Sequence, residues 1–374
     1  MIRLTVPSLA EDDFQAVQEV LATGYLVQGP RVAALEEELA AYLGVAHAVA
    51  VSNCTAALHL SLLALGIGPG DRVAVAAYSW PATANVIVLC GAEPVFVDID
   101  PTTYNMDPAE LERILAGRRI KAIMPVHTFG NMADMPRIQA LAEKYGVPIV
   151  EDAACALGAE MQGRKAGVWG VLGCFSFHPR KAITTGEGGL VVTANAKLAR
   201  TVRVLRNHGL DPDAPAPDFI AAGYNLRMTE FQGALGRSQF RKLGRIVIAR
   251  EAAAAHYNEL LPATPLQSPR PQSDSRHVYQ SYVLLLPHGA APHRTELIRR
   301  LKKDGVETTI GTYPIPFTTY YHQRGDYSEE QFPVTAAVAK RALSLPLYEG
   351  LTREQQQEVV GKLCRAMAEM PFVP

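Results

Sequence analysis

Two residues of this chain have types and placements that could do chemistry together. Lys181 stands in a glycine-hinged loop, Phe175-Ser-Phe-His-Pro-Arg-Lys181 followed by Gly186-Glu-Gly-Gly189, and Asp152 closes the apolar run Gly146-Val-Pro-Ile-Val-Glu-Asp152. An amine so placed can form a Schiff base with the aldehyde of pyridoxal phosphate, and a carboxylate can hold that cofactor's pyridine nitrogen protonated. Neither residue decides anything alone, because lysines are mostly solvated and an aspartate after a strand is commonly a turn residue or helix cap. The surrounding elements carry the case.

Those elements alternate. Apolar runs predict strands over 46–52, 72–77, 94–98, 121–126 and 147–152, and helical spacing predicts helices over 31–43, 55–65, 82–90 and 134–145. Strands joined by helices of this length imply a mainly parallel sheet covered on both faces. Beyond residue 230 the texture changes: one long helix over 229–260, a proline-rich connection over 261–273, a strand over 280–286, a basic helix over 295–304 and a last helix from Thr352. The division expected is a large α/β domain, 1–245, and a smaller C-terminal α+β domain, 246–374. The basic run Arg299-Arg-Leu-Lys-Lys303 is most simply a solvated helix face.

Composition narrows the function. With 374 residues, 48% of them hydrophobic, the chain can bury a large core. Lys+Arg 36 against Asp+Glu 37 gives a net charge of −1, so no overall basic field draws it to nucleic acid or an anionic membrane. The five cysteines are scattered, with no spacing for disulfides or a metal, and the start of the chain lacks the basic and apolar regions of a signal peptide. The most apolar stretch, 73–97, is broken by Pro81, Gly91 and Pro94. A soluble, cytoplasmic protein with reduced thiols, no metal and small polar substrates is expected.

Gly66-Ile-Gly-Pro-Gly70 has the glycine content of a dinucleotide loop, but it ends a predicted helix and precedes a strand, the reverse of that fingerprint. It reads as a helix stop. A better anion site is Ser52-Asn-Cys-Thr55-Ala56, where a strand turns into a helix and free amides meet the positive end of the helix dipole; an N-cap without ligand explains the same residues. Trp80, in the loop after the next strand, is either core or a flat ring able to stack on a flat cofactor.

Five ordered segments resemble the DegT/StrS family of pyridoxal-phosphate-dependent nucleotide-sugar aminotransferases, of the aspartate-aminotransferase-like fold type I. They are Ser52-Asn-Cys-Thr-Ala-Ala-Leu58; Pro81-Ala-Thr-Ala-Asn85 with Pro94-Val-Phe-Val-Asp-Ile-Asp100; Glu151-Asp-Ala-Ala154 with Leu157-Gly-Ala159; the Lys181 loop; and Gly223-Tyr-Asn-Leu-Arg-Met-Thr229. The resemblance implies Lys181 as the imine-forming lysine, Asp152 as partner of the pyridinium nitrogen, and Trp80 as the stacking ring. It implies that Thr55, the Ala56 amide and Ser176 hold the phosphate, and that Asn225 reaches the neighbouring subunit's phosphate in an obligate homodimer. Cys155 stands where the family commonly has a glutamine that contacts the cofactor ring, and Cys54 where it commonly has glycine.

The function so implied is transfer of an amino group from L-glutamate to a keto sugar by ping-pong transamination, with Lys181 as the proton-moving base. The His178-Pro179 pair resembles members acting at C-4 of nucleotide-linked 4-keto-6-deoxy sugars or 4-keto pentoses. Amination at C-3 or of a keto-cyclitol, a non-catalytic regulatory protein of the same fold, and a dehydratase are the alternatives, and retained Lys181 and Asp152 oppose the last two. His178, Tyr313 and His322 are candidate substrate contacts, although turn packing also accounts for the last two. His127 reads as a structural histidine at a strand end, and Glu187 as a residue that orders its loop.

Overall fold

The computed structural model describes residues 1–262 and 264–370; position 263 of the proline-rich connection and residues 371–374 of the expected small domain lie outside the described residues. Seven strands form the main sheet: β1 (His47–Val51), β2 (Arg72–Ala76), β3 (Glu93–Val97), β4 (Ala122–Met124), β5 (Val150–Asp152), β6 (Leu172–Ser176) and β7 (Gly189–Thr193). Their order is β1-β7-β6-β5-β4-β2-β3, with the parallel bridges Ile123 to Ile149 and Val126 to Asp152 joining β4 to β5. Every pair from β6 to β3 is parallel, and only β7 runs antiparallel to both neighbours.

Alternation along the strands sends side chains to two cores, since successive strand residues face opposite sides. Ala48, Ala50, Ala74, Ala76, Val95 and Val97 pack on one face with α1 (Pro30–Leu43), whose Val32, Leu35, Leu39 and Leu43 recur at helical spacing. Leu35 and Leu39 are fully buried, each stabilising the fold by about 1.5–3 kcal/mol. On the other face Val49, Val51, Val73, Val75 and Phe96 pack with the apolar helix Cys54–Ala64 and with Ala82–Leu89. Gly66, at φ 70°, stops the first of these helices, and the Ile67 amide returns to the Leu62 carbonyl at 3.0 Å. The glycine-rich run is therefore a helix stop, as its order in the sequence implies.

The stretch 229–260 is two helices, Glu230–Phe240 and α2 (Leu243–Leu260). They are separated at Arg241 and Lys242, where Lys242 Nζ is held 2.6 Å from both Asp12 Oδ1 and Asp13 Oδ2. Helix α2 serves two cores: Leu243, Ile246 and Val247 pack with the sheet, whereas Ala253, Ala254 and Tyr257 join a third cluster. That cluster contains the antiparallel pair Tyr282–Leu285 and Ala342–Leu345, the helices Arg294–Lys303 and Arg353–Ala368, and Ile2 from the start of the chain. Arg299 pairs with Glu296 and Arg300 with Glu369 on the exposed basic face. Among the described residues no helix is long and apolar enough to cross a membrane.

Candidate active site

The register of three strands assembles one edge of the sheet. Val51 at the end of β1 faces Gly189 at the start of β7, and Gly189 faces Ser176 at the end of β6. Asp152 at the end of β5 faces Cys174, two residues before Ser176. The loops leaving β1, β5 and β6 therefore emerge side by side at the carboxyl ends of parallel strands, where ligand crevices form in α/β sheets. Gly189 permits the packing: a Cβ there would lie 2.4 Å from the Asn53 carbonyl carbon and 2.7 Å from the Cys54 nitrogen.

Asp152 is buried and rigidly held. Its Oδ2 accepts from Thr83 Oγ1 at 2.7 Å, and its Oδ1 accepts the Ala154 amide at 3.1 Å. Thr83 Oγ1 also lies 3.1 Å from the Trp80 carbonyl, which ties the Trp80 loop to Asp152. The Trp80 ring is 60% exposed, meeting Tyr313 edge-on at 5.5 Å, so it is not a core residue. The neighbouring Glu151 is fully buried and accepts four hydrogen bonds, from the amides of Gly167, Trp169 and Gly170 and from His127 Nε2 at 2.8 Å. His127 Nδ1 accepts the Ala133 amide, so this ring is structural, as its strand-end position suggests.

Lys181 sits in a loop closed at its base by paired backbone bonds, Phe177 N–H to Gly188 O and Thr185 N–H to Phe177 O, both 2.9 Å. Phe177 and Ile183 anchor the loop in the core. Lys181 Nζ donates to Cys155 Sγ at 3.0 Å. Burial works against the ammonium, but Cys155, Cys54 and Asp152 together outweigh it and hold Nζ above the ordinary lysine value. Cys54 likewise feels Asp152, Lys181 and Cys155, although burial is the main force raising its thiol. The four side chains lie within electrostatic reach of one another.

The helix after β1 begins at Cys54, whose φ is not positive, so a non-glycine residue is accommodated there without strain. Asn53 caps this helix, its Oδ1 accepting the Ala56 amide at 2.8 Å. The amides of Cys54 and Thr55 have no acceptor among the described residues, and the Thr55 side chain is exposed. Ser176 Oγ accepts the His178 amide at 3.4 Å. His178 is half-buried, burial lowers its pKa, and its Nδ1 accepts the Arg180 amide at 3.2 Å. Asn225 is exposed beside this same edge, since the next residue's carbonyl, Leu226 O, accepts the Ser52 amide at 2.8 Å. His322 is exposed, and its side chain makes no hydrogen bond among the described residues. The Glu187 carbonyl accepts from Thr185 Oγ1 and Gln232 Nε2.

With this geometry in hand, comparison is decisive: the profile of the DegT/DnrJ/EryC1/StrS aminotransferase family matches residues 7–364. The chain belongs to that family. Among its relatives, UDP-4-amino-4-deoxy-L-arabinose–oxoglutarate aminotransferase of Shewanella sediminis is 36% identical, with 96% of each chain covered. GDP-perosamine synthase of Caulobacter vibrioides is 36% identical, with 97% of each covered. The solved structure of a putative sugar aminotransferase, Spr1654 from Streptococcus pneumoniae, in its PLP form superposes with a TM-score of 0.92 at 26% identity, covering 98% of each chain. The chain is an enzyme of the aminotransferase class with the aspartate-aminotransferase-like α/β fold.

Aminotransferases of this family use pyridoxal phosphate, and the residues present suit it. Two helix-terminal amides lie without acceptors among the described residues at the end of β1, and a buried carboxylate lies on β5, three strands away, within electrostatic reach of a lysine.

Sequence reasoning missed two residues of this site. Thr83 is hidden in an apolar helix. Arg250, on α2, is 3% exposed; its guanidinium donates to Gln280 O at 2.9 Å and reaches Lys181 O at 3.4 Å, while Gln280 Nε2 donates to Arg180 O at 3.1 Å. Burial lowers Arg250 to about 10, against the opposing pull of Cys155 and Glu349. Its signal was available: Leu243, Ile246, Arg250, Ala253 and Tyr257 form one helical stripe, and a charge on an apolar stripe marks a buried cation.

Proposed function

We propose that this enzyme transfers the amino group of L-glutamate to C-4 of a nucleotide-linked 4-keto sugar, a 6-deoxyhexose or a pentose. The observation that carries the reading is the convergence of Lys181 Nζ, Asp152 and the acceptor-free amides of Cys54 and Thr55 at one sheet edge. The relatives named for a 4-amino-4-deoxy sugar with oxoglutarate and for a nucleotide-linked amino sugar support the substrate class.

Pyridoxal phosphate, when bound, supplies an aldehyde carbon that carries nitrogen between substrates and a ring that accepts electrons. The Cys54 and Thr55 amides, the Thr55 hydroxyl and Ser176 Oγ would hold its phosphate, with the Ala56 amide shared with Asn53. Asp152, fixed by Thr83, holds the ring-nitrogen proton, because an adjacent anion favours the charged form. Trp80 offers an open ring face for stacking. Lys181 Nζ takes the proton from the Cα of the amino donor and later delivers one to C-4 of the sugar. Its surroundings favour the ammonium, and Cys155 Sγ, which accepts a hydrogen bond from Nζ, keeps that atom in position. Tyr313 (beside Trp80), His178 and His322 would contact the substrate.

The reading includes a homodimer in the cytoplasm, with Asn225 contributing to the partner's phosphate site. Tyr224 beside it is exposed, as are Phe219 and Ile220 in the preceding loop and Tyr25 and Val27, an apolar surface that a second copy would cover. It also includes the division into domains 1–245 and 246–374; the third apolar cluster, drawn from 253–367 and Ile2, supports it, whereas Ile246, Val247, Val278, Ile315, Tyr321 and Phe332 pack with the sheet and Val283, Leu285 and Val338 pack with Tyr78 and Phe129.

Visible absorption of the cofactor-loaded protein, with and without L-glutamate and beside Lys181→Ala, tests the first half-reaction. A band that bleaches with glutamate and is missing from the variant is expected. Magnetic resonance of the product from 4-keto nucleotide sugars tests the second. Nitrogen at C-3, or no product from any such sugar under saturating glutamate, would overturn the assignment.

A further inference from the structure

Cys155 differs from the other thiols. Cys54, Cys90 and Cys174 are buried, and burial raises their pKa values; burial also raises that of Cys364, far along the chain in the last helix. Cys155 lies in the turn after β5, partly open to the crevice, and it alone among the described cysteines accepts a hydrogen bond from an ammonium, Lys181 Nζ at 3.0 Å. Oxidation of a cysteine by peroxide needs an accessible sulfur, and here that sulfur is in contact with an amine able to trap the oxidised form.

We propose that Cys155 and Lys181 form a modification site, in which a hydroperoxide joins sulfur to nitrogen as a reversible sulfenamide and withdraws the lysine amine from chemistry. In the first step the thiolate attacks the peroxide. An S–O bond forms, the O–O bond breaks, sulfur loses two electrons to the peroxide, and the departing hydroxide takes a proton to become water. The product is a neutral sulfenic acid. The proton that the hydroxide takes comes from the Lys181 ammonium hydrogen-bonded to that sulfur, which leaves Nζ as the free amine.

In the second step Nζ, already hydrogen-bonded to the sulfur, attacks it. The N–S bond forms, the S–O bond breaks, and the hydroxyl leaves as a second water with the proton shed by nitrogen. No further oxidant is consumed. A small thiol reverses the link by attacking sulfur and releasing the amine, and a second thiol then reduces the mixed disulfide. The chemistry of the pair stands apart from the transamination reading. Only one corollary rests on that reading: bound cofactor engages Nζ and protects it, so the cross-link belongs to the cofactor-free enzyme.

The test is mass spectrometry of the full-length protein, stripped of cofactor, treated with hydrogen peroxide and digested at sites other than lysine. The expected product joins the peptides carrying Cys155 and Lys181 at the mass of their sum less two hydrogens, disappears with dithiothreitol, and is missing from Cys155→Ser and Lys181→Ala. Linked peptides carrying an added oxygen, or Cys155 consumed as sulfinic acid or disulfide in unlinked peptides, overturn the proposal. Repeating the treatment on cofactor-loaded protein separates the two readings. A link that forms equally well there leaves the modification intact and removes Lys181 from the cofactor.

Discussion

Glu151→Gln is the sharpest perturbation of the scaffold beneath the site. Each carboxylate oxygen takes two donors: Oε1 the amides of Trp169 and Gly170, both at 2.6 Å, and Oε2 the Gly167 amide and His127 Nε2, both at 2.8 Å. Glutamine has nearly the same shape but replaces one oxygen by an NH2 group. Whichever way the amide is turned, two N–H donors then face another N–H. The histidine cannot relieve this by moving its proton, because Nδ1 already accepts the Ala133 amide at 3.2 Å. Two lost hydrogen bonds to a charged acceptor, at about 1.5–3 kcal/mol each, cost about 3–6 kcal/mol. That is comparable to the whole stability of many domains, ~5–15 kcal/mol. Urea unfolding of the cofactor-free protein measures it, with Glu160→Gln, a partly exposed partner of Lys165, as a control expected to change stability by less than ~1 kcal/mol. A loss below about 1 kcal/mol for Glu151→Gln would refute the view that this carboxylate pins β5 and the residues around it.

Further outcomes follow from the same geometry. Thr83→Val keeps the side chain's shape but removes the donor to Asp152, and is expected to lower kcat and cofactor affinity about ten-fold, as loss of a supporting hydrogen bond does elsewhere, whereas Thr83→Ser retains both; wild-type rates in the valine variant would detach Thr83 from the site. Arg250→Met removes the donors to the Lys181 and Gln280 carbonyls and should cut kcat by roughly ten-fold, or ~1.4 kcal/mol, with a smaller change in KM; an unchanged kcat would reduce Arg250 to a core filler. Burial holds His277 at about 3, below its ordinary 6.5, so the folded state keeps the ring neutral while the unfolded state protonates it. The stability it contributes is complete above pH 6.5 and is lost as pH falls toward 3, at up to ~1.4 kcal/mol per unit. His277→Phe, which can keep the stack on Tyr279, should flatten the fall in Tm between pH 7 and 5, and an equally steep fall would contradict the assignment.

The sheet was legible in the sequence wherever strands are apolar and uninterrupted, and Lys181 and Asp152 were legible because they punctuate such runs. Strands β6 and β7, which hold the Lys181 loop between them, were not. Each carries a glycine imposed by a neighbour: a Cβ on Gly173 would lie 2.1 Å from the Gly167 carbonyl oxygen, and Gly189 supports the Asn53 turn. Glycines of this kind depress the strand signal for reasons that only the fold reveals. The break at Arg241 and Lys242 was invisible for a similar reason, because the carboxylates that hold Lys242 come from the other end of the chain. Thr83 looks like any threonine in an apolar helix until Asp152 is brought beside it.

Ile2 ties the order of synthesis to the last core to form. It bridges to Val306, its amide donates to the Gly305 carbonyl, and its side chain packs with residues from Ala253 to Met367. Ile2 is made before these partners and waits for them, while the sheet encoded between them can assemble. Deleting a few N-terminal residues should therefore open the C-terminal core and leave the Lys181 loop in place, and a fusion partner joined at Met1 would press against the face that folds last.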